Sequence, residues 1–462
     1  MERVYLVTSD LLFIVSTLGP IILIFLLLKK FLLGHTLKLT RLTLLSFFII
    51  AYIILMSFPS IVWFYSSTHH IRYTYFLAVQ SVPLLLLLGG SLANLFFRDS
   101  SRIIKGFLSL SLTKTRRDSY LFSFYILMLF SSILIIAALI LNADYVPLFG
   151  SLTGYGKMSG ELVRQSIYRV PDSIQYAHAL ALRIFLPFCL LYSYFMASIN
   201  KRGWKYTFWI TFLLMLFSSL LTFERAYPLS LFILLALGVY FKNNQLIPRS
   251  QFSAISKMNL VSKSKIRFAI IILAIFALAV FVGAVISRAQ YNLPLSLRSI
   301  WNTLILFLIR RIWLDPSYMA YIHFEEFNNA TTFLLGKSIR LLSLFGVEFQ
   351  HTVSPSFVAD LWINFGWFGV IIGTIIIGFI LQFIQLWLFR KKSISNLIIY
   401  IILLLNAVWL IYGHVLSTMV VSVYLLSVLF LLFLLPIIEG AVGIRRSSVP
   451  IVSHPNTSKA DQ

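Results

Sequence analysis

The sequence predicts an all-α polytopic membrane protein with about eleven transmembrane helices, its N-terminus outside and its C-terminus inside. Three observations carry that prediction. Hydrophobic residues fill 59% and charged residues 11% of the 462 positions, with a mean hydropathy of +0.91, against a charged share of roughly a quarter in soluble domains. Apolar runs of about 18 residues or more, each able to cross the ~30 Å hydrocarbon core as a helix, recur along nearly the whole chain. The basic residues gather in alternate loops, as the positive-inside rule requires.

The runs fall at 6–28, 43–65, 73–97, 120–141, 177–198, 206–223, 226–241, 268–286, 357–389, 397–414 and 416–437. The first has no basic region before it and no small-residue cleavage site after it, so it reads as a retained helix and not a signal peptide. Lys29, Lys30, Lys38 and Arg41 follow it, which puts that loop in the cytoplasm. Alternating from there, the inside segments hold 25 of the 38 Lys and Arg but only four of the 15 acids. The net charge is then +21 inside and +2 outside, out of the +23 total. This loop-by-loop pattern explains the basic composition without nucleic acid as a partner and suits an anionic inner leaflet.

The same count divides the chain into helices one to four (1–141), a loop (142–176), helices five to eight (177–286), a large loop (287–356), helices nine to eleven (357–437) and a tail (438–462). Both large loops fall outside, and the inner loops are too short for the ~50 residues a folded domain needs. The single Cys189 excludes an internal disulfide.

The stretch from Ser287 to Pro355 is too polar to span and too apolar for an ordinary loop. In it, Asp315-Pro316 reads as an N-cap and a first-turn proline opening a helix to about Phe327. Upstream, Trp301 to Trp313 has helical length and suits the membrane interface, with both tryptophans at headgroup level. Gly366 and Gly369 read as helix-packing positions.

Arginines on the outer side need another explanation, because the positive-inside rule gives none. A charge at helix depth, as at Arg183, costs at least ~2.5 kcal/mol without a partner or water. Arg225, Arg288, Arg310 and Arg311 are candidate ligands for a diphosphate, because a guanidinium forks onto phosphate oxygens and stays charged. The bland alternatives are an ion pair of Arg225 with Glu224 and of Arg311 with Asp315 at i,i+4. Glycosyl transfer onto a hydroxyl also needs a base, for which His323, His351 and Glu325 are the candidates, with Glu326 and Asp360 also on the outer side. His323 and Glu326, three apart, are expected to share a face. No metal-ligand set, D-x-D pair or sound phosphate-binding loop is found, so no cofactor or metal is expected.

At Leu308-Ile309-Arg310-Arg311-Ile312-Trp313, then Tyr318, Tyr321 and Phe324-Glu325-Glu326-Phe327, the chain resembles Wzy-type O-antigen polymerases. The segment from Ser354 to Gly369, with its Asn364-Phe365-Gly366 and Gly369, is similar to the stretch where these polymerases re-enter the membrane after their last large periplasmic loop. The arginine-to-glycine spacing of some family members is not reproduced after Arg225 or Arg340.

The resemblance implies a GT-C-like enzyme of lipopolysaccharide biosynthesis in the bacterial inner membrane. It would pass a growing glycan from undecaprenyl pyrophosphate to the next lipid-linked repeat unit at the periplasmic face. The implied transfer is inverting and metal-independent, and the implied partners are the lipid-linked oligosaccharide and a chain-length regulator protein. An O-antigen ligase shares the donor and the large outer loop. A flippase or transporter would account for Arg183 but should show repeats and short outer loops.

Overall fold

The computed structural model describes residues 43–66, 70–97, 100–108, 118–143, 170–198, 202–221, 226–245, 313–327, 356–390 and 394–411. Every regular element among them is a helix, and seven helical runs are long and apolar enough to cross a membrane. They are Leu44–Tyr65, Ile71–Leu95, Phe122–Asn142, Asp172–Ser198, Gly203–Leu221, Phe357–Phe389 and Ile394–Ile411, with Ser230–Lys242 apolar but shorter. This is the framework of an all-α multi-pass membrane protein. The expected spans 6–28, 268–286 and 416–437 lie outside the described residues.

In chain order the helices are α1 (Leu44–Tyr52), α2 (Phe58–Ser66), α3 (Ile71–Leu95), α4 (Ser100–Leu108), α5 (Asp118–Asn142), α6 (Asp172–Leu180) and α7 (Leu186–Ser198). There follow α8 (Arg202–Leu221), α9 (Ala226–Gln245), α10 (Asp315–Glu326), α11 (Phe357–Phe368), α12 (Thr374–Phe389) and α13 (Ile394–Ile411). The span expected to begin at 177 starts instead at Asp172, whose carboxylate in the first turn complements the helix dipole.

Two of the spans depart from α geometry just before a proline. Widened π-turns at Ile53–Ser57 and Ala181–Phe185 each lie two residues before a proline, Pro59 and Pro187. Proline has no N–H to give and its ring crowds the carbonyl one turn back, which a wider turn relieves. Side chains from other helices then satisfy the carbonyls that prolines leave without a donor. Pro83, inside α3, strands the carbonyl of Val79, and the Tyr52 hydroxyl donates to it at 3.2 Å.

α3 and α12 run parallel and share the most extensive helix contact among the described residues. Their seam is built on glycines. A methyl at Gly89 would meet the backbone of Ile375 and Phe379, and one at Gly378 the backbone of Leu86, so small residues set the approach of the two backbones. Asn94 and Gln382 bond across the same seam at 2.8 Å. α13 packs on α1 to one side and on α7 and α9 to the other, joining two groups of helices through one apolar core.

The apolar run 357–389 is divided at Gly366, whose φ of +59° and ψ of −144° break the helix. In a straight helix Leu361 and Gly373 would lie about 18 Å apart, yet the Leu361 side chain occupies the space beside Gly373, and its carbonyl the space beside Gly369. α11 therefore doubles back on the chain that follows. Residues 369 to 389 still measure about 31 Å, enough to cross a membrane alone. Gly369 packs against Leu361, in keeping with the sequence reading, while Gly366 makes the turn itself.

Candidate functional site

Two segments enclosed by the spanning helices meet at the end of the bundle where α2 leads into α3. α10 packs against α2, α3, the Ile53–Ser57 turn and α11. An isolated 12-residue helix has too little internal stability to persist, so its place is fixed by side chains. The Tyr75 hydroxyl lies 2.8 Å from the Ser317 carbonyl and 2.6 Å from the Ser317 Oγ. One phenolic hydrogen serves one acceptor at a time, so it donates to the carbonyl while accepting from the serine. Trp63 lies against Tyr318 with ring centroids 4.3 Å apart, and Tyr75 meets Tyr321 and Phe324 edge-on at 5.4 Å each.

The helix does not begin as expected. Asp315 occupies its first turn, the N-cap position belongs to Leu314, which has no side-chain acceptor to cap with, and Pro316 sits just inside. Trp313, expected at headgroup level, is tied to the backbone of a spanning helix. Its Nε1 donates to the Ile54 carbonyl at 2.7 Å, halfway along Leu44–Tyr65. That carbonyl is one a π-turn would hand to residue 59, which is proline.

His323 is fully buried in α10, and its Nδ1 lies 2.6 Å from the Met319 carbonyl. A carbonyl can only accept, so Nδ1 carries the hydrogen and Nε2 is the basic nitrogen of the neutral ring. Glu325 is half-buried, and Glu326 is exposed at the end of the helix. Spacing alone put His323 and Glu326 on one face; the bundle buries one and leaves the other in the open.

On α11, Ser356 caps the first turn by accepting from the Ala359 N–H at 3.4 Å. Asp360 and Asn364 are both buried one turn apart. The Asn364 amide donates to the Asp360 carbonyl at 2.7 Å and to its Oδ1 at 3.1 Å. The two segments touch where Phe324 stacks on Trp362, 4.8 Å between centroids. Around the turn, Phe365, Trp367 and Phe368 are exposed, as suits aromatic side chains at a membrane interface.

Neither a family model, a curated protein nor a solved structure matches the chain. The site is accordingly read from its residues. His323 and Glu325 stand on α10, while His351, Arg225, Arg288, Arg310 and Arg311 lie outside the described residues. The pairing of Asp360 with Asn364 and the anchoring of Ser317 by Tyr75 are absent from the sequence reading. The i,i+4 spacing of Asp360 and Asn364 was a usable signal for the first; nothing local announces the second. Among the described residues no group of three His, Cys, Asp or Glu side chains is arranged to hold a metal.

Proposed function

We propose that the chain is a membrane glycosyltransferase that polymerises lipid-linked oligosaccharide repeat units, as the resemblance to Wzy-type polymerases implies. One observation carries the reading. The two sequence segments that bear the resemblance, about Leu308–Phe327 and Ser354–Gly369, are far apart in the chain and meet through Phe324 on Trp362. In sequence, His323 and the half-buried Glu325 flank Phe324 on α10, and the buried Asp360 and Asn364 flank Trp362 on α11.

In this proposal the acceptor hydroxyl of a lipid-linked repeat unit attacks the anomeric carbon of the growing glycan. The bond from that carbon to the undecaprenyl pyrophosphate oxygen breaks, and the hydroxyl proton passes to a base. A base must lie within hydrogen-bond reach of the hydroxyl. Glu325 has the exposure to do so as the helices stand, whereas His323 serves α10 from inside through Met319. Arg225, Arg288, Arg310 and Arg311 are the proposed counter-charges for the departing pyrophosphate. The reaction would face the periplasm of a bacterial inner membrane, with a chain-length regulator as protein partner.

The test is polymerisation of purified lipid-linked repeat unit by the protein in liposomes. Arg310→Ala or Arg311→Ala abolishes long chains while the protein stays in the membrane; normal ladders from both variants would sink the phosphate-site reading. A deletion strain separates the alternatives. A single repeat on the lipopolysaccharide core marks a lost polymerase, core without any repeat a lost ligase, and unchanged polymer some other function.

A further inference from the structure

A second charged site lies in the other group of helices, on the span Asp172–Ser198. Arg183 sits in the middle of the Ala181–Phe185 π-turn, flanked by the buried Leu182 and Ile184. Its guanidinium lies over the Trp409 ring of α13, 5.6 Å from the centroid. The Nε is buried, and no hydrogen-bond acceptor among the described residues reaches it. The acid of the same span, Asp172, is eleven residues away, about 16 Å along a helix axis.

A cation–π contact holds a guanidinium by its face and leaves the N–H fork at its edge for an anion. π-turns inside membrane helices recur at functional sites, because the widened turn changes the direction of a side chain. Arg183 lies about three turns into the span that starts at Asp172, and a helical side chain leans toward the N-terminus of its helix, so its long stem carries the charge back toward that end. The anion a membrane supplies at that level is the phosphate of a lipid.

We propose that the Arg183–Trp409 pair, between the Ala181–Phe185 turn and α13, binds the phosphate of a membrane lipid, with Arg183 as the ligating cation and Trp409 as its platform. Two sources share this chemistry, a phospholipid headgroup and a polyprenyl phosphate carrier. The site stands on its own geometry, and it holds whether or not the chain is a polymerase.

The experiment is native mass spectrometry of the detergent-purified protein after exchange into phosphatidylcholine, titrated with phosphatidylglycerol in one arm and polyprenyl phosphate in the other. Wild type binds at least one of the two. Arg183→Gln, which keeps a polar chain of similar reach, weakens that binding about tenfold or more, while Arg183→Lys recovers part of it. Trp409→Leu weakens it less. The arm that depends on Arg183 identifies the lipid. Equal binding of both lipids by wild type and Arg183→Gln overturns the site, as does a response of Arg183 to soluble inorganic pyrophosphate alone. Thermal unfolding of each variant guards against misfolding; if Arg183→Gln does not fold, the loss between wild type and Trp409→Leu decides, and no loss there also overturns it.

Discussion

The indole Nε1 of Trp313 donates a 2.7 Å hydrogen bond to the carbonyl oxygen of Ile54, 259 positions earlier in the chain. The acceptor exists because Pro59 follows a π-turn and has no N–H to offer. A backbone irregularity in one helix thus becomes the fixing point for a helix from a distant segment.

Trp313→Phe keeps most of the ring and removes the donor, which should destabilise the protein by about 1 kcal/mol. Pro59→Ala restores an N–H near the same carbonyl. In the Pro59→Ala background the Trp313→Phe penalty should therefore shrink, and thermal unfolding in detergent of all four proteins measures the coupling. Strictly additive shifts would disconnect the indole from the proline.

Gly366→Ala should cost about 1–3 kcal/mol, because φ +59° with ψ −144° is a conformation essentially confined to glycine. A Cβ there meets no atom within 4 Å, so the cost is one of backbone and not of space. Gly366→Asn should be no better, since asparagine tolerates the left-handed helical region and not this one. Wild-type unfolding temperatures in both variants would mean that the turn re-forms by another route.

Along the α3–α12 seam the expected effect is steric. Gly378→Val drives a branched side chain into the backbone of Leu86, and the helices must separate or the protein must fail to accumulate in the membrane. Gly203, with nothing within 4 Å of a Cβ, is the control: Gly203→Ala should accumulate normally. Equal accumulation of both variants would contradict the close packing.

Tyr75→Phe strands both partners of its hydroxyl at Ser317, and a loss of about 1–2 kcal/mol is expected. Ser317→Ala removes one of those contacts, so the double variant should lose less than the sum of the singles. An additive double variant would show that the two residues do not act together.

Glu325→Gln and His323→Ala separate chemistry from support. If Glu325 is the base, Glu325→Gln lowers polymerisation about 100-fold or more with little change in unfolding temperature. His323→Ala lowers both, because it empties a buried site and removes the bond to Met319. Full activity in Glu325→Gln would move the base to another residue.

The sequence by itself determined that the chain is helical, apolar and multi-pass, because spanning a membrane requires long uncharged runs with every backbone group satisfied within the helix. It also determined that a helix opens near Asp315-Pro316 and that Gly366 and Gly369 are special, since proline and glycine act through local backbone geometry. Only the tertiary structure decided the rest. It set α10 against Tyr75, folded α11 back on the Gly369–Gly373 turn, separated His323 from Glu326 by burial, and seated Arg183 on Trp409. The physical reason is that these outcomes depend on where a donor, a ring or a gap lies on another helix. Residue spacing along one helix carries no record of that. Pro59, Pro83 and Pro187 stand between the two levels. Each announces in sequence that a carbonyl will lack its donor, and only the folded bundle shows that Trp313 takes the one at Pro59 and Tyr52 the one at Pro83.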